Sequence, residues 1–191
     1  MACTGAGAGA AATGAGAGAT GPSCEGAAGI FAGRAGIFRT IAAPDPNVFV
    51  EKPMFNDAGT AAFYRSFTDA TGQFVTAIVT GNGGPLTTVA DTTGPFGAFG
   101  FRPPSLNNNG DVAYNATLDD FQTTGIFVGP RAIQDRVIQT GDKLDGSRVI
   151  GLTFCEEGLN DSGQLGFIAS LEDPAAPNGF RTAVFRATPK R

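Results

Sequence analysis

The chain has 191 residues, enough for one medium domain with a sizeable core. Hydrophobic residues make up 42% and charged residues only 16%, well below the quarter or so usual in globular chains, which argues against a disordered or helical-repeat protein and for a β-rich one. The formal net charge of −4 comes without a basic block, against a phosphate-tracking nucleic-acid surface, and no run nears the ~20 apolar residues of a membrane-spanning helix.

Residues 2–21 contain only Ala, Gly, Thr and one Cys. Such a stretch has little apolar area to bury and a high entropy cost on ordering. Residues 1–25 are therefore expected to be a low-complexity tail, disordered or swapped as a strand. Residues 26–188 form the folded β-repeat domain, and residues 189–191 are a short tail. The N-terminus has neither a cationic region nor a Leu-rich one, so an export signal is expected to lie outside this chain. Cys3 and Cys24 could bridge within the tail in an oxidising compartment. Cys155 sits in an apolar stretch and reads as a small buried hydrophobe.

Beyond the tail, Gly29-Ile30-Phe31, Gly36-Ile37-Phe38-Arg39 and Val48-Phe49-Val50 read as the later strands of a unit lacking its first. A pattern then begins that occurs three times: Asn-x-x-Gly followed, after two further residues, by a small residue and an aromatic. It runs from Asn56 to Phe63, Asn107 to Tyr114 and Asn160 to Phe167, with spacings of 51 and 53 residues. Asn opening a turn and Gly three residues on are the preferences of a type I turn. After Gly, an apolar residue (Ala61, Val112, Leu165) and the aromatic stand two apart, on one face of a strand. The small residue between them, Ala62, Ala113 or Gly166, points the other way, which predicts close approach by another sheet. The pattern is thus a hairpin with packed faces, with Asn56, Asn107 and Asn160 expected to mark the boundaries between units.

Between these turns the strands are short. Thr60–Phe67, Phe74–Thr80, Leu86–Ala90 and Phe96–Phe101 form one set, and Asp111–Leu118, Gly125–Gly129, Arg136–Gln139 and Arg148–Phe154 the next. Asn160 to Ala187 supplies two more. Gly and Pro, at 29 and 12 residues, provide the many turns this requires. Four short antiparallel strands in about 50 residues match a propeller blade. The expected fold is all-β, with tandem four-stranded antiparallel repeats as about three β-propeller-like blades. Pairing the C-terminal strands with the N-terminal ones would complete a blade. A ring needs about four blades or more, so an incomplete ring, an open arc or a ring shared between copies is expected.

With Asn56, Asn107 and Asn160 in these settings, the chain resembles the bacterial tandem-repeat family named for its NxxGxxAF motif, whose members are associated with varied cell-surface anchors. Asn56 to Phe63 fits the motif fully. Tyr114 replaces its Phe and Gly166 its Ala. Gly125 to Gly129 and Thr140 to Asp142 look like the family's linker elements. The resemblance covers roughly Gly29 to Ala187. It implies a bacterial protein exported to the cell surface or beyond, without an established activity.

The absence of histidine excludes Ser-His-Asp, Cys-His and His-metal constellations within one chain. The acidic pairs Asp119-Asp120, Glu156-Glu157 and Glu172-Asp173 are the remaining material for a two-carboxylate site, and solvated turns explain them equally. The turn from Gly141 to Gly146 and the Asn-Asp turns offer oxygen atoms of the kind calcium prefers, though turn formation accounts for each. No catalytic, cofactor-binding or metal-ligating residue is assigned, and no cofactor is expected. The expectation is a non-catalytic extracellular or cell-surface module for binding or assembly, partnering itself or an extracellular ligand. The alternatives are a subunit of an extracellular filament and a carboxylate-based propeller-like hydrolase or lyase.

Overall fold

The computed structural model describes residues 27–34, 36–132 and 134–188. The Gly/Ala segment with Cys3 and Cys24, and residues 189–191, lie outside the described residues. All regular structure among those described is β. A hairpin of β1 (Ala28–Arg34) and β2 (Ile37–Asp45) comes first. The first large sheet is β3 (Val48–Phe55), β4 (Ala61–Thr68), β5 (Phe74–Gly81) and β6 (Thr87–Asp91), in that order. In the second, β7 (Phe96–Phe99) and β8 (Ser105–Leu106) lie along one edge of β9 (Val112–Leu118), followed by β10 (Thr124–Val128) and β11 (Arg136–Gln139). In the third, β12 (Lys143–Leu144) pairs with β13 (Ser147–Leu159), then β14 (Leu165–Glu172) and β15 (Phe180–Ala187). The chain is thus all-β, with tandem antiparallel, propeller-like sheets.

The sheets stack through side chains that alternate along the strand after each Asn turn. In β4, Ala61 and Phe63 point back into a core with Ile30 and Ile41 of the hairpin. Ala62 and Tyr64 point forward, meeting Val112, Tyr114 and Ala116 of β9. Ala113 of β9 in turn faces forward to Leu165, Phe167 and Leu171 of β14. The aromatic of each repeat therefore packs on the preceding layer, and the small residues Ala62 and Ala113 on the following one. β4 is buried on both faces along its first half, whereas β14 alternates buried and half-buried positions because only one of its faces is covered.

Three sequence expectations change. Each Asn turn lies inside a sheet, joining its first two strands (β3–β4, β8–β9, β13–β14), so the unit boundary falls upstream, after β6 and after β11. Val48–Val50 and Arg148–Phe154 accordingly open the sheets that follow them rather than closing those before. Among the described residues the C-terminal strands do not pair with the N-terminal ones: β15 pairs with β14 and β1 with β2, as expected when the layers are too few to turn through a full ring.

Candidate functional site

The three repeat turns form a hydrogen-bonded stack. In each, the Gly N–H donates to the Asn carbonyl at 2.9–3.2 Å, and Gly59, Gly110 and Gly163 take φ values of 76°, 86° and 73°, where a side chain would be strained. The Asn Oδ1 accepts backbone N–H groups of its own turn, such as Thr60 at 2.9 Å and Asp111 at 2.8 Å. Its Nδ2 reaches the next layer: Asn56 donates to the Asn107 carbonyl and Asn107 to the Asn160 carbonyl, both at 3.1 Å. Asn160 Nδ2 instead turns back to Gln164 Oε1. Asn108 sits between two acids, its Nδ2 donating to Asp57 Oδ2 at 2.9 Å and Asp161 Oδ2 at 3.0 Å. The Asn and Asp oxygens expected to suit a cation are thus engaged by amides. The stack couples layers, and among the described residues no group of three or more metal-ligating side chains forms.

The acidic pairs do not converge. Asp120 caps its own turn through the Thr123 hydroxyl and the Gln122 and Thr123 N–H groups, which hold its carboxyl below the usual carboxylate range. Glu156 pairs with Arg102 at 3.3 Å and Glu172 with Arg148 at 3.4 Å. In the turn from Gly141 to Gly146, Asp142 accepts the Gln139 N–H and Asp145 pairs with Arg181. Cys155 is a free, exposed thiol rather than a buried one. The register of β13 breaks between Phe154 and Leu159, so Phe154 keeps the core side and Cys155 is turned out. Asn115-Ala116-Thr117 and Asn160-Asp161-Ser162 have the Asn-x-Ser/Thr pattern of a glycosylation sequon; Asn115 is half-buried in β9 and Asn160 holds its turn.

A cleft of about 460 Å³ opens between the first and second large sheets, and sequence reasoning missed it. It exists because first strands are interrupted at matching places. β3 loses register between Glu51 and Met54, with Lys52 in the left-handed region at φ 56°. Its counterpart is split into β7 and β8 by residues 100–104. Lys52 Nζ lies 5.2 Å from the centre of the Tyr64 ring and 6.0 Å from that of Phe101, with the Glu51 carboxylate at 3.8 Å. Tyr64 donates its hydroxyl to the Arg102 carbonyl at 3.0 Å. Burial, and secondarily the Glu51 charge, pushes its phenol well above the ordinary value. One carboxylate and no second acid line this space. The only sequence signal was local departure from the repeat: Lys52-Pro53 before one Asn turn, and Phe101-Arg102-Pro103-Pro104 before the next.

Two further surfaces are open. The outer edge of β15 has no partner strand among the described residues, and Val184 on it is 77% exposed. At the other end, Ile37 of β2 is 80% exposed. No helix among the described residues is long and apolar enough to cross a membrane.

No curated protein and no solved structure matches the chain. Residues 76–191, from within β5 through the second and third large sheets, match the family of unknown function DUF7453; the match covers more than half of the chain, which therefore belongs to that family.

Proposed function

We propose that the chain is a non-catalytic β-repeat module of the NxxGxxAF surface-protein kind, held outside the bacterial cell and acting by assembly. The observation that carries this reading is the unpaired edge of β15. The first and second large sheets hold a short fourth strand at this position, β6 and β11. In the third sheet the position holds no strand among the described residues, along the eight residues of β15, which include no proline or lysine. Such an edge is a template for pairing with another chain. The β1–β2 hairpin is a two-stranded sheet, and small two-stranded pieces are stabilised by joining more strands. Pairing between the edge of one copy and the hairpin of another would satisfy both. Contacts of this head-to-tail kind close into a ring or run on as a filament.

The motif resemblance supports a place outside the cell. The lack of converging carboxylates favours assembly over the hydrolase alternative. Size-exclusion chromatography with light scattering, from low to high micromolar concentration, tests the reading. The chain should form dimers or larger species, and Val184→Lys should shift them to monomer while leaving the circular dichroism unchanged. A chain that stays monomeric throughout would sink it.

A further inference from the structure

The cleft beside Lys52 is independent of the open edges, and the repeat's construction does not require it. Phe101 is 96% exposed, yet its loop is fixed, by the Tyr64 hydroxyl on the Arg102 carbonyl and by the Arg102–Glu156 ion pair. An aromatic ring left in water keeps its apolar surface exposed without a packing return. Phe74, 61% exposed, stands on the cleft's other wall. Between the rings lie the hydroxyls of Ser66 and Thr76, 3.0 Å apart, each able to make further hydrogen bonds. Lys52 holds a left-handed backbone conformation that is strained in a non-glycine residue, and that conformation accompanies its placement over Tyr64 and Phe101.

The cleft's chemistry selects among ligands. Its one ammonium and one carboxylate are neighbours and cancel, so no net field favours an ion. Exposed aromatic faces suit a flat ring with an apolar C–H side. A carboxylate, an ammonium and paired hydroxyls suit a ring bearing several hydroxyl groups. A sugar ring offers both on one scaffold. The volume falls within the ordinary range for ligand sites and accommodates about two pyranose rings. We propose that this cleft binds a neutral saccharide, stacked on Phe101 and hydrogen-bonded by Lys52, Glu51 and the Thr76 hydroxyl.

Titration of the ¹⁵N-labelled chain with cellobiose, maltose and diacetylchitobiose, followed by NMR, tests this, with digalacturonate as the charged counterpart. At least one neutral disaccharide should give saturable shifts at the amides of Lys52, Thr76 and Phe101. Phe101→Ala and Lys52→Met should each weaken that binding about tenfold. Phe101 is too exposed to matter for folding, and an unchanged unfolding midpoint for Phe101→Ala verifies this. No saturable shift with any of the three, unchanged affinity in both variants, or tighter binding of digalacturonate than of every neutral sugar would each overturn the proposal. The titration reads the cleft alone, whereas assembly is read by mass, so either can fail without the other.

Discussion

Asn107 does more than open a turn. Its side chain accepts two N–H groups of its own turn and donates to both Asp111 and the carbonyl of Asn160, and it is almost wholly buried. Replacing it by Ala strands several polar groups where water has poor access, so Asn107→Ala should cost about 2–4 kcal/mol. Asn160 makes comparable bonds within its turn, but it is exposed and its Nδ2 serves only Gln164, so Asn160→Ala should cost under about 1 kcal/mol. Urea unfolding of the two variants checks the order; equal losses would contradict the stacking role. The two tyrosines give a pH prediction. Burial raises both phenols, helped by Glu51 at Tyr64 and by Asp135 at Tyr114. A folded value above the unfolded one of about 10 means the folded state holds its protons more tightly. That stabilisation is complete below the unfolded value and is lost as pH rises beyond it. Phenolate absorbance should therefore stay absent in the folded chain past pH ~10 and appear together with unfolding. Smooth ionisation near the ordinary value, without loss of structure, would refute this.

The polarity of the stack resides in the strands, where each aromatic packs backward and the small residues Ala62 and Ala113 forward. Ala113 is fully buried between β9 and the third sheet, so Ala113→Leu should force the layers apart at about 1–3 kcal/mol or more. Gly166 occupies the same repeat position, but a Cβ there would meet only a carbonyl oxygen at 4.0 Å. Gly166→Ala should therefore be neutral or stabilise by up to about 1 kcal/mol. Thermal unfolding of the pair separates a directional stack from generic small-residue packing. Much at this scale was legible in the sequence. Arg136–Gln139 was expected and is β11, and Phe74–Thr80 differs from β5 by one residue, because short alternating runs bounded by glycine fix strands locally. The small residues Ala62 and Ala113 also announced a neighbouring sheet. Pairing partners were less legible: Arg148–Phe154 joins β14 rather than the set ending at Arg136–Gln139 that it was expected to close, and hydrogen-bond registry between segments leaves no local trace. The cleft was illegible for the same reason. Lys52, Tyr64 and Phe101 meet through breaks in two different strands, and each break is visible only once its partner strand is known.

Across the whole molecule, stability should be graded by layer. A stack in which each sheet touches only its neighbours behaves nearly as a one-dimensional array, whose interior units gain from two interfaces and whose ends gain from one. The second large sheet contributes to two cores, through Val112, Tyr114 and Phe127 on one side and Ala113 and Ile126 on the other. It also carries the densest aromatic cluster, in which Phe96 meets Phe127 at 5.0 Å and Tyr114 at 5.8 Å. The β1–β2 hairpin shares only the first core, and β15 is exposed at alternate positions along its length. Local opening should therefore start at both ends and reach the middle last. In amide hydrogen exchange, β9 and β10 should be protected to the level of global unfolding, β4 nearly as well, and β1, β2 and β15 far less. Assembly changes this pattern in a specific way. If β15 and the hairpin join another copy, their protection should rise with protein concentration, and that of β9 should rise with it, since opening the whole stack also breaks the contact between copies. Uniform protection across the layers, or a concentration-dependent gain in β9 but none at the ends, would contradict both the layered architecture and the use of its open edges.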